Sequence, residues 1–101
     1  MLFRSAAVVA VSPSAAASAV NQVNLTWGSS TVTGGTITSY LVERCQGVGC
    51  TSFAQIAMSS ALAYNDNAVS TGSSYSYRVR ALDNFNNPGP YSNITSVSTG
   101  P

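Results

Sequence analysis

Apolar and polar residues alternate one by one through much of the chain, most strictly in Ser74-Tyr75-Ser76-Tyr77-Arg78-Val79-Arg80-Ala81-Leu82. Side chains two apart on a strand share a face, so this segment predicts a strand whose Tyr75, Tyr77, Val79 and Ala81 face a core. Weaker versions of the pattern predict strands at Ala15 to Val20, at Val23-Asn24-Leu25-Thr26-Trp27, at Phe53 to Met58, at Ala61 to Asn65 and at Tyr91 to Ser98. Ile37 to Arg44 belongs to the set, but its apolar positions step by three (Ile37, Tyr40) before stepping by two (Tyr40, Val42), which predicts an irregular start or bulge. The intervening segments are loops by composition: Gly28 to Gly35, the glycine turn between Cys45 and Cys50, and Asp83 to Pro90, where two prolines bar a continuous ladder. No helix-period segment and no internal repeat occurs, so the expected class is all-β, in a single domain with one modest core.

Composition removes most chemistry from consideration. Charged residues are 7% of the 101 positions and the net charge is +1, so the chain carries no electrostatic footprint for nucleic acid. There is no Lys and no His, which takes away imidazole and amine bases, Schiff-base nucleophiles and imidazole metal ligands. The three acids, Glu43, Asp66 and Asp83, fall on or beside different expected strands, in no paired-carboxylate spacing. The expectation is a chain without catalytic residues, metal or cofactor. No apolar run approaches the length of a membrane span, so no membrane insertion is expected.

Cys45 and Cys50 enclose Gln-Gly-Val-Gly. Two glycines let so short a segment turn back on itself, and the expected outcome is a disulfide that pins the turn. A metal site, which would need further thiol or imidazole ligands, and a redox pair, which favours a two-residue spacing, are the alternatives. A disulfide places the chain in an oxidising compartment, secreted or on a cell surface. Met1-Leu2-Phe3-Arg4, the apolar run that follows and the small residues up to Ala19 have the outline of a signal peptide. An ordered extension pairing as an edge strand, or a Ser/Ala linker, is preferred, because cleavage after Ala19 would remove the first strand.

Taken together, seven strands with Trp27 ending the second, Ile37-x-x-Tyr40-x-Val42 on the third, Val69 six before Tyr75, and Tyr75-x-Tyr77-x-Val79-x-Ala81 on the sixth resemble a fibronectin type III domain. The Val69 to Tyr75 spacing resembles a tyrosine corner, in which the hydroxyl bonds the backbone a few residues upstream. The resemblance covers about Pro13 to Pro101, with residues 1–13 an extension and 14–101 the domain. The Cys-x4-Cys turn resembles a bacterial secreted variant. Two departures are a short turn near Asn21 and Val69 in place of the more usual leucine.

The resemblance implies an immunoglobulin-like, seven-stranded antiparallel β-sandwich of sheets A-B-E and C-C′-F-G. Val23, Leu25, Trp27, Tyr40, Val42, Ile56, Leu62, Val69, Tyr75, Tyr77 and Val79 would fill much of its core. Glu43 would point outward against Arg78 and Arg80 as an exposed cross-strand pair. An anion site built on those arginines is the functional alternative and would need convergent donors. The loop with Asn84, Phe85, Asn86 and Asn87 is the candidate binding loop, its aromatic among amides suiting a carbohydrate or protein contact. In the duller reading Phe85 folds back on the sandwich edge. Asn24-Leu25-Thr26 and Asn93-Ile94-Thr95 match the glycosylation sequon, which matters only in a host that glycosylates. The function so implied is a spacer, adhesion or interaction module of an extracellular protein, with neighbouring domains or other chains as partners. The alternative is a structural subunit or decoration of an extracellular filament or virion, docking through its N-terminal extension.

Overall fold

In a computed structural model of the chain, the residues described are 12–15 in backbone only, 22–30, 32 and 35–99. The alternating segments form β2 (Val23–Thr26), β3 (Ile37–Gln46), β4 (Ala54–Ser59), β5 (Ala63–Asp66), β6 (Ser74–Asp83) and β7 (Thr95–Ser98), preceded by β1 (Ser12–Ala15). They make two antiparallel sheets, β1-β2-β5 and β4-β3-β6-β7. This is the A-B-E and C-C′-F-G arrangement that the resemblance implies.

The long strands β3 and β6 form the centre of the larger sheet, in a register that sets Tyr40 opposite Ala81 and Val42 opposite Val79. Alternation then does the sorting: Tyr40 and Val42 join Tyr75, Tyr77, Val79 and Ala81 against Val23, Leu25 and Trp27 of the other layer. Trp27 and Tyr40 meet as a tilted aromatic pair with ring centroids 5.9 Å apart. The Tyr40 hydroxyl accepts from the Ser30 amide at 3.0 Å, which turns the loop after β2 over the core. The irregular step after Ile37 is present as a register shift between Ile37 and Ser39.

Three expectations need correcting. Leu62 is 41% exposed rather than core, because it lies in the bend before β5 and contributes its carbonyl, which accepts from the Trp27 amide, instead of its side chain. The first described strand is Ser12–Ala15, earlier than the expected Ala15 to Val20, of which 16–20 fall outside the described residues. As the outer strand of its sheet it tolerates Pro13. The last strand starts at Thr95 instead of Tyr91. Upstream, the Val79 amide donates to the Ser92 hydroxyl at 2.9 Å, so a side chain takes the place of a ladder carbonyl. Of the expected extension, residues 1–13, residues 1–11 lie outside the described residues, while Ser12 and Pro13 belong to β1.

Candidate functional site

The expected tyrosine corner is in place. Val69 is buried, and the Ser70 amide donates to the Tyr75 hydroxyl at 2.8 Å across the turn that precedes β6. At the same end of the sandwich, Cys45 and Cys50 form a disulfide with a Cα–Cα distance of 6.0 Å. It closes a turn in which Gly47 and Gly49 take positive φ and Val48 is 92% exposed. Beside it runs an open groove of about 230 Å³ lined by Gly47, Val48 and the serines of β6 and β7. Those serines satisfy one another: Ser76 and Ser96 hydroxyls lie 2.8 Å apart, and Ser74 and Ser98 hydroxyls 3.1 Å apart.

The candidate loop closes the opposite end of the sandwich. Asp83 organises it, its Oδ1 accepting from the Phe85 amide at 2.8 Å and from the Asn87 amide at 2.9 Å. Asn84 is spent on structure, donating its amide to the Thr36 carbonyl and accepting from the Thr36 amide with Oδ1, both at 2.9 Å. Asn86 supplies the positive φ that turns the loop, a conformation an asparagine tolerates well. Phe85 leans toward Gly35, where a Cβ would come within 3.3 Å of its ring, yet it stays 51% exposed. The loop is a self-bonded cap clasped to its neighbour, with an aromatic half in solvent.

The three acids are far apart. Asp83 stands six residues along β6 from Tyr77, roughly 20 Å at strand rise, while Asp66 bonds the Tyr77 hydroxyl. Glu43 lies on the other face of the sheet. Among the described residues no group of three potential metal ligands occurs.

Asp66 is the residue whose role the sequence reading missed. It is 1% exposed and accepts from the Tyr77 hydroxyl at 2.7 Å, from Arg44 Nη1 at 2.8 Å and from the Ala68 amide at 3.1 Å. Burial alone would lower the Arg44 pKa, but the hydrogen bond and charge of Asp66 outweigh it and raise it overall. Burial, and then the hydrogen bond and charge of Asp66, push the Tyr77 phenol well above its ordinary value.

Glu43 also departs from expectation. It faces outward from the sheet as expected, but it is 6% exposed instead of forming a surface pair. Arg78 Nε donates to Oε1 at 2.8 Å and the Tyr91 hydroxyl donates to Oε2 at 2.9 Å. The Arg78 guanidinium lies between the Phe53 and Tyr91 rings, 4.3 and 3.7 Å from their centroids. With both oxygens bonded, the Glu43 side chain keeps only 8% of its surface in solvent. Arg80 sits over the Tyr91 ring at 4.6 Å, and its nearest approach to Glu43 is 3.9 Å, too long for a hydrogen bond.

No protein-family model and no curated protein matches the chain. Solved structures do. The sixth fibronectin type III domain of human fibronectin type III domain containing protein 3 is similar with TM-score 0.76 and 21% identity, over 95% of this chain and 86% of that one. A Fn3-like protein from Clostridium thermocellum is similar with TM-score 0.73 and 29% identity, over 88% and 86%. The twitchin kinase region of C. elegans is similar with TM-score 0.75 and 20% identity, over 87% of this chain but only 16% of that one. In the twitchin region the domain of this shape is a small part of a longer chain. Sheet order, tyrosine corner and these likenesses agree, and the chain has the fold of a fibronectin type III domain.

Proposed function

We propose that the chain is a non-catalytic spacer or interaction module of a secreted or cell-surface protein, working beside neighbouring domains. The observation that carries the reading is where the strands enter and leave. Ser12 pairs with Thr26 beside the loop after β2, whereas Ser98 pairs with Ser74 beside the turn before β6. The chain enters at one pole and leaves at the other, the geometry of a unit threaded end to end. Two further features support it. Each carboxylate has at least one oxygen engaged in holding structure, which supports a non-catalytic reading. The disulfide suits an oxidising compartment. Contact with a protein or a carbohydrate through Phe85 and its flanking amides belongs to this reading.

Small-angle scattering of two copies joined head to tail tests the spacer geometry. The expected particle is close to twice the length of one unit at unchanged cross-section. A compact side-by-side pair would refute it. Alkylation of thiols in fractions of the source cell tests the location: a chain found reduced inside the cell overturns the secreted assignment.

A further inference from the structure

The outer face of the larger sheet is built unlike the rest of the surface. Strand register places Met58, Leu41 and Arg80 in one row across β4, β3 and β6, and Gln55, Glu43 and Arg78 in the next. Ile94 immediately precedes β7, the strand beside β6 at the edge of this sheet. Met58 is 60% exposed, Ile94 57% and Tyr91 37%, three large apolar side chains around a buried aliphatic, Leu41.

Charge on this face is unbalanced. Glu43 is met by both Arg78 and Tyr91, so its oxygens are occupied. Arg80 is then a second cation beside a carboxylate already neutralised, 27% exposed, with no hydrogen bond to any described residue. The imbalance extends to the whole surface. All three acids of the chain are buried, at 6%, 1% and 0% exposure for Glu43, Asp66 and Asp83, while Arg44, Arg78 and Arg80 each keep about a quarter of their side chains in water. A second copy of the chain therefore presents no acidic side chain that could meet Arg80.

We propose that this face docks a segment of a different protein, in which one carboxylate flanked by apolar side chains caps Arg80 and lies over Met58 and Ile94. The proposal deepens the interaction half of the function above and is independent of the end-to-end geometry. One cation in excess of the carboxylates on this face selects a single carboxylate; a polyanion such as nucleic acid draws on many cations at once. The adjoining serine groove adds room but no charge selection, since its hydroxyls satisfy each other.

The test is an NMR titration of the isotope-labelled chain with an N-acetylated, C-amidated pentapeptide alternating valine and glutamate, and with its glutamine counterpart. The glutamate peptide is expected to shift the amides of Met58, Arg80 and Ile94 and to bind about fivefold more tightly than the glutamine peptide, a gap that salt closes. R80Q should abolish the preference and R80K keep it, with native spectra in both. M58S should weaken both peptides alike. Equal binding of the two peptides, shifts confined to the Phe85 loop, no shift at millimolar peptide, or tighter binding of a heparin fragment would each overturn the proposal. A head-to-tail pair that remains extended while this titration fails would leave the spacer reading standing and remove the docking face.

Discussion

Replacing Asp66 by Ala should be among the most damaging single changes available to this chain. The wild-type carboxylate satisfies three donors, and their situations differ. The Tyr77 hydroxyl is fully buried, so losing its acceptor costs about 1–3 kcal/mol with no route to water. The Arg44 side chain is 22% exposed and stacks 5.3 Å from the Tyr75 ring centroid. It can swing partly into solvent, so its share lies below the 3–5 kcal/mol typical of breaking a fully buried pair, at about 1–2 kcal/mol. The Ala68 amide adds about 0.5–1 kcal/mol. A total of about 2.5–6 kcal/mol is a large part of a small domain's stability.

Urea unfolding followed by Trp27 fluorescence measures the change, and a double-mutant cycle with Tyr77→Phe apportions it. In the Tyr77→Phe background no phenol is stranded, so Asp66→Ala should cost about 1–3 kcal/mol less than in the wild type. Asp66→Asn, which keeps an acceptor but loses the charge on Arg44, should fall between wild type and Ala. A cost for Asp66→Ala below about 1 kcal/mol, or a cycle without coupling, would show that the three contacts are incidental to stability.

Trp27→Ala should cost about 3–5 kcal/mol through the cavity it leaves beside Tyr40, read from the denaturation midpoint; an unchanged midpoint removes Trp27 from the core. Raising the pH should destabilise the fold from about pH 10 upward, because the unfolded Tyr77 phenol ionises there while the folded one, its pKa raised, keeps its proton. That contribution is fully present below the unfolded pKa and is lost as pH climbs toward the folded one, so Tyr77→Phe should flatten the alkaline limb of a stability–pH curve. Gly35→Ala should loosen the clasp between the two loops, since its Cβ would lie 2.6 Å from Asn84 Oδ1. Faster exchange of the Thr36 amide, with Met58 and Arg80 unmoved, is the expected signature.

The sandwich was legible because period-two alternation is read directly by a half-buried strand, and β2 and β6 carry it along their sequences. Where pairing is settled by something other than side-chain parity, legibility ended. Ser92 shortened β7 by lending a hydroxyl to the ladder, and no apolar pattern registers such a substitution. Leu62 has the composition of a core residue but sits where the chain turns, so its backbone, not its side chain, meets the other strand. The disulfide was legible from two cysteines around a glycine turn in a chain with no further thiol or imidazole ligand, and the Phe85 loop in its composition but not in its self-bonding.

The charged residues show why the site was harder to read than the fold. Treating Glu43 as an exposed partner for Arg78 and Arg80 follows from parity, which fixes the face of a side chain but not what covers it. Phe53 arrives from before β4 and Tyr91 from before β7; both rings meet the Arg78 guanidinium that bonds Glu43, and the Tyr91 hydroxyl bonds the carboxylate itself. Asp66, by contrast, could have been placed from sequence. It shares its parity with Tyr64, which packs against the core, and β5 pairs Tyr64 with Leu25 and Asp66 with Val23. An acid at an inward position requires a buried partner, and the inward face of β6 offers the Tyr77 hydroxyl. With so few charges, burying all three acids fixes the character of the surface: what the fold consumes internally is negative, and what it leaves outside is arginine. The structural use of the carboxylates is therefore what gives the outer sheet face its unmatched cation, and with it a preference among partners.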